Sequence, residues 1–307
     1  MYIKVLERET DSFEELLLEN GCAVTLGSFD GLHRGHIMLV RGAVKFAKRL
    51  ACRSCVFSFT SNTGDAPYIT SNEQRADVLQ TEGVDLFVMR TFADEFKSLS
   101  PKDFLNEYIL KRLNARAVVV GFNYRFGHKG EGDVEMLRKF CDENEIMMSV
   151  IPPVMFENQP ISSTRIRNAV EAADFTSTKN MLGRDFSVHG KVIHGEKVGK
   201  ALGFPTANLE VDINHVMPPK GVYATKTIIN GVFYHSITNY GGRPTIKNGI
   251  ALVETHILDF EGYIYGTNIE VLFVRKMRDI IKFSSKDELS RQILEDKHKA
   301  KEILDKK

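Results

Sequence analysis

The chain has 307 residues, 43% hydrophobic and 26% charged, ordinary material for two globular domains or one large one. Its 41 Lys and Arg against 40 Asp and Glu leave no basic footprint for nucleic acid or an anionic membrane, and no run of about 18 apolar residues is available to span a bilayer. The opening MYIKVLERETDSFEELLLENG is acidic rather than basic-then-apolar, and four cysteines do not make a disulfide framework, so a cytoplasmic protein with reduced thiols is expected.

Up to about residue 182 short apolar runs alternate with amphipathic stretches. The runs 23–26, 55–59, 85–89, 117–120 and 147–151 predict strands. Between them Ser71 and Gln74 have the spacing of a capping box, Ser100 and Pro101 form an N-cap and first-turn proline before FLNEYILKRL, and Asp133 can cap VEMLRKFCDE. Such alternation predicts a doubly wound parallel sheet of the Rossmann-like kind, an α/β domain spanning 1–182. From 183 to 307 β-branched and aromatic residues dominate the runs 187–193, 222–229, 232–238, 252–258 and 269–274. Asn230-Gly231 between two of them is a hairpin signal, and strands with Gly-rich turns predict a small β-barrel. Ser285 and Glu288 read as a capping box opening a last helix over 286–304.

The first constellation is GSFDGLHRGH, residues 27–36, where a strand gives way to a glycine-rich turn and a helix. His33 and His36, three apart, share one face of a helical first turn, beside the free N–H groups of the turn and the positive end of the helix dipole. Gly27, Phe29, Asp30, Gly31 and Gly35 complete this candidate triphosphate cradle. It is neither a P-loop nor a dinucleotide fingerprint. Cys52 and Cys55 (CRSC) raise zinc as an alternative, but Cys55 opens an apolar strand and no second CxxC follows. VVVGFNYRFGHKGEGD (118–133) adds Asn123 and a mobile-looking Gly/Lys loop. ISSTRIR (161–167) adds Ser163, Thr164 and Arg167; a hydroxyl of Ser163 or Thr164 is expected to cap a helix, and Arg167 to face a pyrophosphate.

The second constellation is LGRDFSVHGKVIHGEKVGKALGFPTANL, residues 182–209. Gly195, Gly199 and Gly203, with Lys197 and Lys200, form a loop able to close over phosphates. Pro205 opens PTAN, in which either Thr206 or Asn208 offers an oxygen to Mg²⁺. Glu254 in ALVETHILDF reads in two ways, as an outward-facing strand carboxylate or as a general base for an attacking hydroxyl. Spacing alone favours the first.

Nearly the whole chain resembles the bifunctional riboflavin kinase/FMN adenylyltransferase family, with both halves in family order. GSFDGLHRGH, VVGFNYRFG and ISSTRIR resemble its nucleotidylyltransferase module; LGFPTANL, PPKGVYA, GGRPT, ETHILDF and MRDIIKF resemble its kinase module. The resemblance implies a nucleotidylyltransferase domain, a Greek-key barrel with a C-terminal helix, and FAD made from riboflavin through FMN with ATP as co-substrate. It implies that Thr206 and Asn208 hold Mg²⁺, that Glu254 activates the ribityl 5′-hydroxyl, and that Arg278 and Phe283 belong to a flap over the flavin. His33, His36, Asn123 and Arg167 would stabilise adenylyl transfer. Family members usually carry a Pro-His-Pro stretch after the second strand; here the segment reads FSFTSNTGDAPYIT (57–70). FAD formation is therefore expected to be slow, and a kinase-only enzyme is the competing expectation.

Overall fold

A computed structural model of the chain describes residues 1–6, 20–60, 66–91, 93–195, 204–241 and 250–305. They fall in two compact units, Met1–Ser162 and Ser163–Lys307.

The first unit runs β1 (Tyr2–Leu6), β2 (Cys22–Leu26), α1 (Arg34–Leu50), β3 (Arg53–Phe59), α2 (Asn72–Thr81), β4 (Leu86–Arg90), α3 (Asp94–Lys97) and α4 (Pro101–Phe104), which continues as a wide π-type turn over Leu105–Arg112. Then come β5 (Ala115–Gly121), α5 (Val134–Glu143), β6 (Met147–Ile151) and a two-stranded ladder of β7 (Met155–Phe156) with β8 (Gln159–Pro160). Six parallel strands lie in the order β1-β4-β3-β2-β5-β6. The four inner strands, β2 to β5, are apolar runs because both their faces are covered. Val24, Leu26, Phe57 and Val118 pack with Tyr108 and Leu137 on one face; Val56, Phe87 and Val119 pack with Leu39, Val40 and Leu79 on the other.

The predicted caps form. Ser71 and Gln74 bond reciprocally, Ser100 caps α4, and Asp133 caps α5. Two features differ from expectation. β1 pairs with β4 at the sheet edge; Tyr2, Ile3 and Val5 are exposed, so no pattern of burial marks the strand. The Gly/Lys loop after β5 is pinned rather than loose: Phe126 and Gly132 exchange both backbone bonds, and the His128 N–H donates to Leu99 O at 2.7 Å.

The second unit begins with α6 (Ser163–Glu171) and α7 (Phe175–Leu182), followed by β9 (Phe186–Ile193), β10 (Ala207–Asp212), β11 (Gly221–Ile229), β12 (Val232–Tyr240), β13 (Ile250–Ile257), β14 (Asn268–Arg278) and α8 (Lys286–Asp305). The strands close in the order β10-β13-β12-β11-β14-β9. β11, β12 and β13 form a meander, and β10 lies beside β13 instead of β11, which is the Greek-key arrangement. Asn230 and Gly231 turn the first hairpin with φ of 49° and 80°, as a type I′ turn requires. Strand β10 was not anticipated, although ANLEVD alternates Ala, Leu and Val inward with Asn, Glu and Asp outward. Phe175 of α7 plugs the barrel, its ring 5.6 Å from Phe273 and 6.3 Å from Phe186. At α8, Ser285 Oγ accepts the Glu288 N–H, but Glu288 reaches back to Ser284 instead of Ser285. The cap is therefore one residue wider than a capping box.

The barrel interior carries a fully buried chain of hydroxyls. Thr227 donates to Ser236 at 2.8 Å, Thr225 bonds both Ser236 and Thr238 at 2.8 Å, and Thr238 bonds Thr255 at 2.9 Å. Each buried hydroxyl is satisfied by its neighbours, and that condition makes the polar core tolerable. Thr225→Val keeps the shape but removes the central link. It is expected to destabilise the barrel by about 1–3 kcal/mol, read as a lower midpoint in denaturant unfolding; an unchanged midpoint would show that the chain adds nothing.

Candidate active sites

In the first unit the chain runs β2→β3→β4 to one side of the sheet, and β5→β6 lie on the other. The carboxyl ends of neighbouring β2 and β5 thus flank the switch point, where open α/β sheets bind ligands. β2 delivers GSFDGLHRGH and β5 delivers Asn123.

The turn after β2 is built by struts. Asp30 is buried and its Oδ1 accepts the Ile69 N–H at 2.8 Å, while the Gly31 N–H donates to Thr70 Oγ1 at 3.0 Å. Phe29 and Leu32 are buried with φ of 51° and 38°, a left-handed backbone that bulky residues adopt only when packing imposes it. The Phe29 ring meets His36 edge-on at 5.2 Å. His33 stands outside the helix: it is the N-cap of α1, and its Nδ1 accepts the His36 N–H at 3.3 Å. The expectation that both histidines lie within the first turn is corrected, but they do share a face, with rings stacked 3.6 Å apart. Because Nδ1 accepts, neutral His33 carries its proton on Nε2, as a donor suited to a phosphate oxygen. A Cβ on Gly35 would come 3.0 Å from the His33 ring, and one on Gly27 would come 3.3 Å from Phe29. These two glycines make room for the rings. Asn123 is exposed just beyond β5.

Beneath the turn lies a residue that sequence reasoning missed. The Arg75 guanidinium donates to Ser28 O at 3.1 Å, Ser58 Oγ at 3.0 Å, Phe59 O at 2.7 Å and Asn72 Oδ1, and sits over the Phe87 ring. Burial pulls its pKa down to about 10, so it stays charged at neutral pH and ties the ends of β2 and β3 together. A basic residue on a helix reads as solvent-exposed, which is why the pattern concealed it.

Ser163 and Thr164 are the first two residues of α6 in the second unit, and Arg167 lies one turn on. Ser162 immediately precedes the helix.

On the barrel, Glu254 of β13 is the cross-strand partner of Asn208 on β10 and of Asn239 on β12. Thr255 and Thr238 point inward, so this row faces out. Asn239 Nδ2 donates to Glu254 Oε2 at 3.3 Å. A Cβ on Gly195 would run into the Asn208 amide, so Gly195 lies directly against that side chain. Pro205 O meets His256 Nδ1 at 2.8 Å, which anchors the PTAN segment and leaves Thr206 half-buried beside β10. The Gly199, Lys200 and Gly203 assignments, with Lys197, lie outside the described residues, as do 61–65 of the departing segment and most of GGRPT. Arg278 makes a two-pronged pair with buried Asp296 of α8, Nε–Oδ1 3.0 Å and Nη2–Oδ2 2.7 Å. Phe283 is half-buried between β14 and α8.

A glycine-rich turn with two stacked histidines at a parallel-sheet switch point, and a carboxylate flanked by two amides beside Gly195 on a barrel, are the arrangements expected of an ATP-using transferase with two sites. The family model for FAD synthetase matches residues 17–165 and that for riboflavin kinase matches 182–304. The chain is 34% identical to the bifunctional riboflavin kinase/FMN adenylyltransferase of Haemophilus influenzae, covering 92% of this chain and 94% of that one. It is 32% identical to the protein of that name from Listeria monocytogenes, over 89% of each. A solved chain described as a macrolide-efflux protein from Streptococcus pneumoniae superposes with a TM-score of 0.81 at 30% identity, covering 97% of this chain and 98% of that one. Among the described residues no helix is long and apolar enough to cross a membrane. The chain belongs to the bifunctional riboflavin kinase/FMN adenylyltransferase family.

Proposed function

We propose that the chain makes FAD in two ATP-dependent steps, riboflavin to FMN on the barrel and FMN to FAD on the parallel-sheet unit, in the cytoplasm where ATP is supplied. The observation that carries the first step is the outward row Asn208–Glu254–Asn239 beside Gly195. Glu254 takes the proton of the ribityl 5′-hydroxyl as its oxygen bonds the γ-phosphorus and the bond to the β-phosphate oxygen breaks, releasing ADP. Thr206 and Asn208 present neutral oxygens, a donor set that fits a hard cation held mainly by phosphates. There Mg²⁺ would neutralise charge on the transferring group. Gly195, which lies against Asn208, is assigned to the phosphates together with Gly199, Lys200 and Gly203 by their motif, and Pro205 and Phe283 are assigned to the same site by theirs.

In the second step an FMN phosphate oxygen attacks the α-phosphorus of another ATP and pyrophosphate leaves. His33 Nε2–H, His36 and Asn123 supply donors where charge accumulates. Ser163, Thr164 and Arg167 are assigned to the pyrophosphate by their motif. Asp30, Gly31 and Phe29 act by shaping the turn. The working division of the two activities is 1–182 and 183–307, supported by where the two family models fall.

Incubation with riboflavin, ATP and Mg²⁺, with chromatographic separation of products, tests both steps. FMN is expected readily and FAD more slowly, with neither formed after chelation of Mg²⁺. His36→Ala should lower FAD formation about 10²–10³-fold and leave FMN formation intact. Equal FAD rates in variant and wild type would remove the site assignment. No FAD from FMN and ATP, even at high enzyme concentration, would establish the kinase-only reading that the altered 57–70 segment favours.

A further inference from the structure

We propose that Asn239 is a further residue of the kinase site, positioning Glu254 through its amide nitrogen and binding the polyol chain of the flavin through its amide oxygen. The proposal rests on the reading of Glu254 as the base. Three observations carry it. Asn239 and Glu254 are direct cross-strand partners on β12 and β13, and Asn208 is the partner on the other side, so the three side chains form one outward row. Asn239 Nδ2 donates to Glu254 Oε2 at 3.3 Å. Asn239 Oδ1 is shielded from solvent and has no hydrogen-bond partner among the described residues.

The orientation of the amide follows from its neighbour, because the flipped form would set its oxygen against a carboxylate oxygen. One end of the side chain is therefore committed to holding the carboxylate. The other is a buried acceptor with no donor among the described residues. Asn239 is the penultimate residue of β12, at the end of the strand that pairs it with Glu254 of β13. A buried oxygen that lacks a donor is unfavourable in the free protein. A ligand that supplies an O–H removes that penalty on binding. A ligand with one hydroxyl to give to Asn239 Oδ1 and another beside Glu254 meets both groups, and a ribityl chain whose terminal hydroxyl is the attacking group is such a ligand.

Steady-state kinetics of the full chain test this, with FMN formation from riboflavin and FAD formation from FMN measured separately. Asn239→Leu removes both functions; it is expected to lower kcat for FMN formation roughly 10²-fold, the scale of a misplaced catalytic group, and to raise the riboflavin KM. Asn239→Asp is nearly isosteric and keeps an acceptor while losing the donor, so kcat falls and the riboflavin KM changes much less. FAD formation from FMN stays at the wild-type rate in both, and an unchanged denaturant midpoint of the barrel unit reports that the barrel itself is folded. In a Glu254→Gln background, Asn239→Leu should give no further loss of kcat, because a residue acting through Glu254 has nothing left to position. Wild-type kcat in both Asn239 variants, or losses that multiply in the double variant, overturn the proposal while leaving Glu254 as the base. Wild-type turnover in Glu254→Gln alone overturns the base assignment and this proposal with it.

Discussion

Replacing Glu254 by glutamine is expected to lower FMN formation about 10²–10⁴-fold, the usual contribution of a general base. The substitution is close to isosteric. A glutamine carbonyl can still accept from Asn239 Nδ2, which now lies 3.3 Å from Oε2, so the row on the barrel surface should survive. What is lost is the ability to take a proton from the attacking hydroxyl. Riboflavin binding, followed by quenching of flavin fluorescence, should remain near wild type, and adenylylation of supplied FMN should be unaffected. A variant that phosphorylates riboflavin at the normal rate would return Glu254 to the role of an ordinary solvent-facing strand carboxylate.

Removing the buried partner of Arg278 should have the largest effect on stability. Asp296 is only 4% exposed; it receives both Nε and Nη2 of Arg278, and Gln292 Nε2 at 3.2 Å. Lys299 adds a bond to Met277 O at 3.0 Å. Together these contacts fasten α8 to the end of β14, over an apolar patch of Val222, Ala224, Ile237, Met277, Ala300 and Leu304. Asp296→Ala leaves a guanidinium in a largely dry setting without its counter-charge, which costs about 3–5 kcal/mol. The expected result is a marked fall in the denaturant midpoint of the barrel unit. An unchanged midpoint would mean that Arg278 is available to the flavin, as its motif implies. As the structure stands, all three guanidinium nitrogens are engaged: Nε and Nη2 with Asp296, and Nη1 with Asp279 O at 3.0 Å.

The parallel sheet was legible because buried strands are continuous apolar runs, and the helices because Ser71, Ser100 and Asp133 are local signals acting over three residues. What escaped depended on long-range register or on burial. Asn239 and Glu254 are 15 residues apart, and only the pairing of β12 with β13 brings them together. Arg75 is hidden because its charge is answered by the carbonyls of Ser28 and Phe59, from two other segments. β1 lies at an exposed edge, where alternation carries no information. His33 was legible as a candidate site residue but not as a cap, since histidine is uncommon at that position. Glu254 showed the limit of spacing most clearly: it does face outward, and only its flanking asparagines distinguish it from any other surface carboxylate.

The order in which the barrel strands pair has a consequence for synthesis. β9 is held between β10 and β14, and β11 between β12 and β14, so β14, near the end of the chain, supplies the closing stave. The parallel sheet has its last strand by Ile151 and can fold while the ribosome is still translating, as leading domains generally do. Until residues 268–278 emerge, the remaining barrel strands can form only an open sheet with β9 and β11 as bare edges. Unpaired edges of that kind recruit other chains. A transcript truncated shortly before β14 would therefore give a finished nucleotide-binding unit joined to an aggregation-prone half-barrel, a product for proteolysis and not a shorter, single-activity enzyme.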